Sequence, residues 1–220
     1  MIHIFDIDDT IIKRTSIWYF LREALKDKTI RLTQIIRLPF YWLKYKMGVP
    51  DFDFIENTVI NLAGIEKSAL ERIAEICFEN SIKKVIYAGA ERLIREAQGR
   101  GERVIFATSS IDIAIRPLER FFGIEGSLAS ELEFRDGRTT GYLVGESFFG
   151  EKKKTAVMAW LERNSLKSED VCFYSDSYAD IPLLESCGRP VAVNPDLVLT
   201  RKAKKHGWKI VRFKEMFNAQ

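Results

Sequence analysis

Asp6 and Asp8 flank a single residue at the end of the short apolar segment 2–5. Side chains two apart on an extended chain point the same way, so both carboxylates can face one pocket at a strand end. Two like charges held that close repel, which raises one pKa or calls for a cation beside them. A further acidic pair, Asp176 and Asp180, follows the apolar run Val171-Cys172-Phe173-Tyr174. Open parallel sheets gather ligands at the carboxyl ends of their strands, so four carboxylates can converge there. Oxygen ligands in that number, without imidazole or thiolate, suit Mg²⁺, which keeps several waters and bridges to substrate phosphate.

The rest of the composition closes off other chemistries. His3 and His206 are the only 2 histidines, so a multi-histidine metal centre is excluded and a Ser-His-Asp triad has few bases to choose from. No nucleophile-elbow pattern is present. The 3 cysteines, Cys77, Cys172 and Cys187, are scattered and read as buried apolar side chains rather than a dithiol or a zinc knuckle. Gly145 and Gly150 approximate a P-loop, but Glu151 stands where that motif needs its lysine. Catalysis therefore rests on carboxylates, hydroxyls and lysines. Aspartates at strand ends also cap helices and turns. Three apolar runs that each stop in reactive polar residues are more than capping explains.

Those runs imply the elements that position the site. Besides the first segment and residues 171–174, Val104-Ile105-Phe106-Ala107 ends in Thr108-Ser109-Ser110. Further strand candidates are residues 190–193 and 209–211. Amphipathic stretches at 90–98 and 154–163 lie between strands, as in a doubly wound α/β sheet with a Rossmann-like core. Around Asp136-Gly137, residues 132–134 and 140–142 read as a β-hairpin, because Asp-Gly tolerates the positive φ of a tight turn. Residues 13–88 carry only helical patterning. They read as an inserted all-helical cap domain between core segments 1–12 and 89–220.

With 46% hydrophobic and 30% charged residues the chain has the composition of a globular protein. No apolar run reaches the ~18 residues of a membrane span. The start Met1-Ile2-His3-Ile4-Phe5-Asp6 lacks the basic region of a signal peptide, so a cytoplasmic location is expected. Net charge is only +3, and residues 13–50 hold nine Lys or Arg against two acids, so the basic excess is local. No nucleic-acid partner is expected, since no recognition motif accompanies that charge.

Taken in order, the motifs resemble those of the haloacid-dehalogenase-like hydrolases (the HAD superfamily), in particular the phosphoserine-phosphatase-like branch. Its Asp-x-Asp-x-Thr motif stands as Asp6-Ile7-Asp8-Asp9-Thr10, and its second motif as the strand ending at Thr108. The lysine motif places Lys153 after Gly150, with Lys152 and Lys154 as adjacent alternatives. The fourth motif is Ser175-Asp176-Ser177-Tyr178-Ala179-Asp180, with Ser175 where glycine is usual, and residues 191–196 are similar to a run that follows it. The resemblance implies a Mg²⁺-dependent phosphatase that forms an aspartyl-phosphate on Asp6. Asp8 would be acid and then base, and Thr108, Ser109 and Lys153 would bind phosphoryl oxygens. The metal would be held by Asp6, Asp8 through its carbonyl, and Asp176, with Asp180 in support. By the same resemblance, the carboxylate at Asp8 points to phosphatase or phosphotransferase chemistry within the superfamily.

By the same resemblance the cap is a lid that selects a small phosphorylated substrate. Phosphoserine phosphatases carry glutamate where Thr15 stands and Gly-Gly where Ser109-Ser110 follow Thr108, so both phosphoserine contacts are missing here. Residues 31–46 mix Ile35, Leu38, Phe40, Trp42 and Leu43 with Arg37, Lys44 and Lys46. That pattern suits a cap helix packing inward, or an interfacial helix of a phospholipid head-group phosphatase at an anionic membrane surface. A non-catalytic relative that only binds a phosphorylated ligand is the third reading.

Overall fold

The computed structural model describes residues 1–36, 38–40, 43, 54–124 and 126–217. At its centre lies β1 (Ile2–Phe5), whose four residues are all buried. Six strands form one sheet of order β3-β2-β1-β6-β7-β8 with every neighbouring pair parallel. The strands are β2 (Arg103–Ile111), β3 (Leu128–Ser130), β6 (Val171–Ser175), β7 (Arg189–Val193) and β8 (Lys209–Val211). Two further strands, β4 (Leu132–Arg135) and β5 (Arg138–Leu143), form a separate antiparallel pair.

Both faces of the sheet are covered, which is why its central strands read as continuous apolar runs rather than alternating ones. Ile2, Ile4, Ile105 and Phe173 pack with Val157, Leu161 and Leu199 on one face. Those last three belong to the helices Glu151–Arg163 and Leu197–His206. Phe5, Phe106 and Tyr174 pack on the other face with Ile94, Leu118 and Phe122, from the helices Ala88–Gly99 and Asp112–Phe122. From β1 the chain winds through β2 to β3 on one side, and later through β7 to β8 on the other. The order reverses beside β1 and β6, and ligands of such sheets bind at that reversal.

Two elements depart from the reading of the sequence. β2 runs on through Thr108-Ser109-Ser110 to Ile111, because β3 pairs with it there, at Ala107↔Leu128 and Ile111↔Ser130. β3 itself has no apolar run to announce it; its three residues are a strand only because β2 offers an open edge. The other strand candidates and the helices around 90–98 and 154–163 form as expected, within a few residues at their ends.

Among the described residues, the segment 13–88 contains helices and no strand. Its main helices are α1 (Ser16–Lys26) and Lys67–Asn80. The hairpin turns through Asp136 and Gly137, with φ 50° and 74° as a type I′ turn requires. It seats on this segment rather than on the sheet: the Gly64 N–H donates to the Thr139 carbonyl (2.7 Å), and the Thr139 N–H to the Ile65 carbonyl (2.9 Å). Gly141 (φ +87°) permits that approach, since a Cβ there would stand 3.0 Å from the Ala63 Cβ. One buried cluster runs from Phe20 and Ile73 of the helical segment to Phe106 and Phe122 of the sheet layer, so the two share a core.

Of the basic aromatic segment 31–46, residues 37, 41, 42 and 44–46, including Arg37, Trp42, Lys44 and Lys46, lie outside the described residues. Leu38 is fully buried there, while Ile36 and Phe40 are exposed. No helix among the described residues is long and apolar enough to cross a membrane. The three cysteines are buried free thiols.

Candidate active site

Asp6 continues the parallel ladder one residue beyond β1, its N–H donating to the Tyr174 carbonyl at 2.9 Å. Since Phe5 pairs with Tyr174, Asp6 stands beside Ser175, and Asp176 follows at the neighbouring strand end. Lys153 lies in the first turn of the helix that starts after Gly150. Its Nζ donates to Asp6 Oδ1 at 3.0 Å and to Asp180 Oδ2 at 2.8 Å. Ser175 Oγ also donates to Asp180 Oδ2, at 2.6 Å, so this serine has a task that the glycine usual at its position cannot perform. Lys153 is only 3% exposed. Lys152, exposed, is paired instead with Glu56 (3.6 Å) and Glu146, and Lys154, half-buried, with Glu151 (3.5 Å). Of the three adjacent lysines, the fold turns Lys153 inward.

Asp8 is held from two sides. Its Oδ1 accepts the Ser16 N–H at 2.8 Å, and Oδ2 accepts the Ser110 hydroxyl at 3.3 Å. Ser16 and Ser110 hydroxyls stand 2.6 Å apart. Thr108 is buried, with its Oγ1 accepting the Ser110 N–H at 3.2 Å. The half-buried Ser109 presents its carbonyl to the Ser130 hydroxyl at 3.1 Å. Half-buried Asp176 accepts the Asp196 N–H on its carbonyl, at 2.9 Å. The Thr10 hydroxyl is buried and has no hydrogen-bond partner among the described residues.

The loops that carry these groups are cross-tied. Asp196 caps the helix Leu197–His206 by accepting the Leu199 N–H (2.8 Å), and its second oxygen accepts the Tyr178 N–H (2.6 Å). Asn194 Nδ2 donates to the Asp9 carbonyl at 2.9 Å. The sequence reading did not assign roles to Ser16, Ser110, Ser175, Asn194 or Asp196. Period-two alternation from Thr108 marks Ser110. Ser16 carries no such signal, because its contact with Asp8 depends on how the first helix lands.

Burial raises the Asp6 carboxyl well above the usual range; Lys153 opposes this and the Asp180 and Asp8 charges reinforce it. Burial also pushes Asp8 up to about 6, against the Ser16 N–H. For Lys153, burial favours the neutral amine, but Asp180 and Asp6 outweigh it and hold the ammonium charged. Two buried carboxylates, Asp6 and Asp180, thus share one ammonium, with the half-buried Asp8 charge acting on Asp6 as well, and a further cation would relieve the excess.

The donor chemistry fits Mg²⁺. Among the described residues no three His, Cys, Asp or Glu side chains form a complete cage. Asp8 and Asp180 have carboxylates engaged by the serines and Lys153. Asp6, whose Oδ1 accepts from Lys153, and Asp176, together with a backbone carbonyl, offer oxygen donors at the neighbouring strand ends, and Mg²⁺ is commonly bound through one or two carboxylates and several waters.

Residues 4–185 match the haloacid dehalogenase-like hydrolase family. The chain is a member of that family. A histidinol-phosphatase of Neisseria meningitidis serogroup C is 33% identical to this HAD hydrolase over 96% of this chain and 98% of its own. A phosphoserine phosphatase of Mycobacterium tuberculosis is 27% identical over 96% of this chain and 70% of its own. Among solved structures, a protein of unknown function from Bordetella pertussis Tohama I superimposes with a TM-score of 0.84 at 28% identity, covering 96% of this chain and 97% of that one. This HAD hydrolase is a phosphatase of the phosphoserine-phosphatase-like branch, acting on a phosphomonoester.

Proposed function

We propose that this HAD phosphatase hydrolyses a small phosphomonoester in two steps through an aspartyl-phosphate. The observation that carries the reading is the buried Asp6 carboxylate at the strand end, with Lys153 bonded to it and Asp8 two residues on. Asp6 attacks phosphorus in line, its Oδ–P bond forming as the ester P–O bond breaks. Asp8 gives its proton to the departing oxygen, then takes one from the water that cleaves the acyl phosphate. Lys153, Thr108 and Ser109 receive phosphoryl oxygens, and Asp180 holds Lys153 in place. Asp6, the Asp8 carbonyl and Asp176 would hold Mg²⁺, which supplies positive charge that lets an anionic nucleophile meet an anionic phosphate.

Residues 13–88, together with the hairpin seated on them, would form the lid over the core of 1–12 and 89–220. Thr15 in place of glutamate argues against phosphoserine as the substrate. The relative named histidinol-phosphatase places histidinol phosphate first in a panel of phosphomonoesters, with phosphoserine as the comparison.

The test is phosphate release from that panel with Mg²⁺ and with EDTA, for the parent and for Asp6→Asn. The parent is expected to turn over a small monoester only with the metal, and Asp6→Asn to lower kcat by about 10³-fold or more. Turnover retained in Asp6→Asn would remove the covalent mechanism. Phosphate binding with no turnover of any ester would favour the non-catalytic alternative.

A further inference from the structure

The Asp8 carboxylate is reached from both the sheet and the helical segment. From the sheet comes Ser110, on β2 and 2% exposed, whose hydroxyl lies 3.3 Å from Asp8 Oδ2. From the helical segment comes Ser16, the first residue of α1, whose N–H is 2.8 Å from Asp8 Oδ1. The two hydroxyls close the ring at 2.6 Å. A residue without a hydroxyl at position 110 could not close this ring.

The donors differ in kind. A backbone N–H is a fixed donor, so Asp8 Oδ1 stays an acceptor, and a proton on this carboxyl belongs on Oδ2. A serine hydroxyl rotates and both donates and accepts, so Ser110 can remain bonded to Oδ2 whether or not it carries the proton. An acid that must become a base within one turnover needs a partner of that kind.

Resting on the reading of Asp8 as acid and base, we propose that Ser110 is a positioning residue: with Ser16 it fixes the plane of the Asp8 carboxylate, so that Oδ2 meets the leaving oxygen when α1 is seated on the sheet. Ser110 touches neither phosphorus nor the leaving group. Its contribution is geometric, and small displacements of a catalytic group are costly in rate.

Leaving-group dependence separates this role from a merely structural one. An alkyl monoester needs its departing oxygen protonated, whereas p-nitrophenyl phosphate releases a stable phenolate and needs little help. The measurement is kcat/KM, which covers steps through phosphoryl transfer to Asp6, for p-nitrophenyl phosphate and for the alkyl monoester the parent turns over best. Ser110→Ala and Ser110→Gly are expected to lower the alkyl value by roughly 10–100-fold and the aryl value by less than about 3-fold. Ser110→Thr, which keeps the hydroxyl, is expected to restore most of the alkyl activity. Ser110→Gly is a second variant without the hydroxyl should alanine impair folding, and thermal melts monitor both.

Equal losses on the two esters, or no loss on either, would overturn the clamp. Asp8→Asn is the reference in the same assay. If it shows the alkyl-selective loss and the Ser110 variants do not, the clamp alone fails. If Asp8→Asn lacks that selectivity, the acid role fails and the clamp falls with it.

Discussion

At the residue scale, the site is set by which of several similar side chains turn inward. Lys152, Lys153 and Lys154 are chemically identical, yet the first turn of one helix puts only the middle one between Asp6 and Asp180. Removing one partner of a buried ion pair leaves uncompensated charge, at a cost of about 3–5 kcal/mol. Lys153→Met is therefore expected to lower the urea midpoint sharply as well as abolish turnover. Lys152→Met and Lys154→Met, whose partners are exposed carboxylates, should stay within about 0.5 kcal/mol of the parent.

His3 is buried away from these groups, bonded through Nδ1 to the Tyr174 hydroxyl and through Nε2 to Glu102, each at 3.0 Å. Burial lowers its pKa, with Glu102 opposing. Below about pH 6.5 the unfolded chain then binds more protons at His3 than the native one, so this group's stabilisation is complete above that pH and declines as the medium acidifies. Urea titrations between about pH 5 and 8 should show His3→Gln losing that part of the slope relative to the parent. Identical slopes would contradict the native-state depression.

At the scale of elements, Asp6, Asp8 and Asp176 follow strand ends and Lys153 opens a helix, and the loops between them are held by short ties. Asp196 carries two of them, capping one helix and fixing the Tyr178 backbone in the loop after Asp176. Asp196→Ala is expected to cost about 1–2 kcal/mol from the lost cap and the orphaned N–H. Asp196→Asn keeps an oxygen for Leu199 but turns its amide toward the Tyr178 N–H, so it should recover stability more than activity. Denaturant melts alongside kcat/KM on one substrate check the split. The strands that position the site were legible because burial on both faces leaves a continuous apolar run. β3 and the extension of β2 were not, since each exists through the other's free edge.

At the scale of the whole molecule, the helical segment and the sheet share one buried core, and the hairpin belongs with the helical segment by its contacts. Native pKa values raised by burial at Asp6 and Asp8 make these carboxyls stabilising below about pH 4, and that stabilisation is lost as pH rises through their native range, about 6 for Asp8. A cation that binds the ionised form reverses the loss. Mg²⁺ at ~100 times its Kd adds about 2.7 kcal/mol, so the Tm increase should be larger at pH 7.5 than at pH 5.5 and should vanish in Asp6→Asn. No Mg²⁺-dependent Tm change at pH 7.5 would count against the cation assignment.

The sequence alone determined the doubly wound sheet and the candidate carboxylates, because apolar runs that stop in acids leave a local pattern, and the order of its motifs carried the resemblance to the family. It also determined the hairpin turn, since Asp136-Gly137 accepts positive φ without outside help. Tertiary structure decided which lysine faces Asp6, that Ser175 supports Asp180, and that Ser16 and Ser110 meet at Asp8. Those contacts join residues 5 to 147 positions apart, and side-chain direction at each end is set by packing of whole elements.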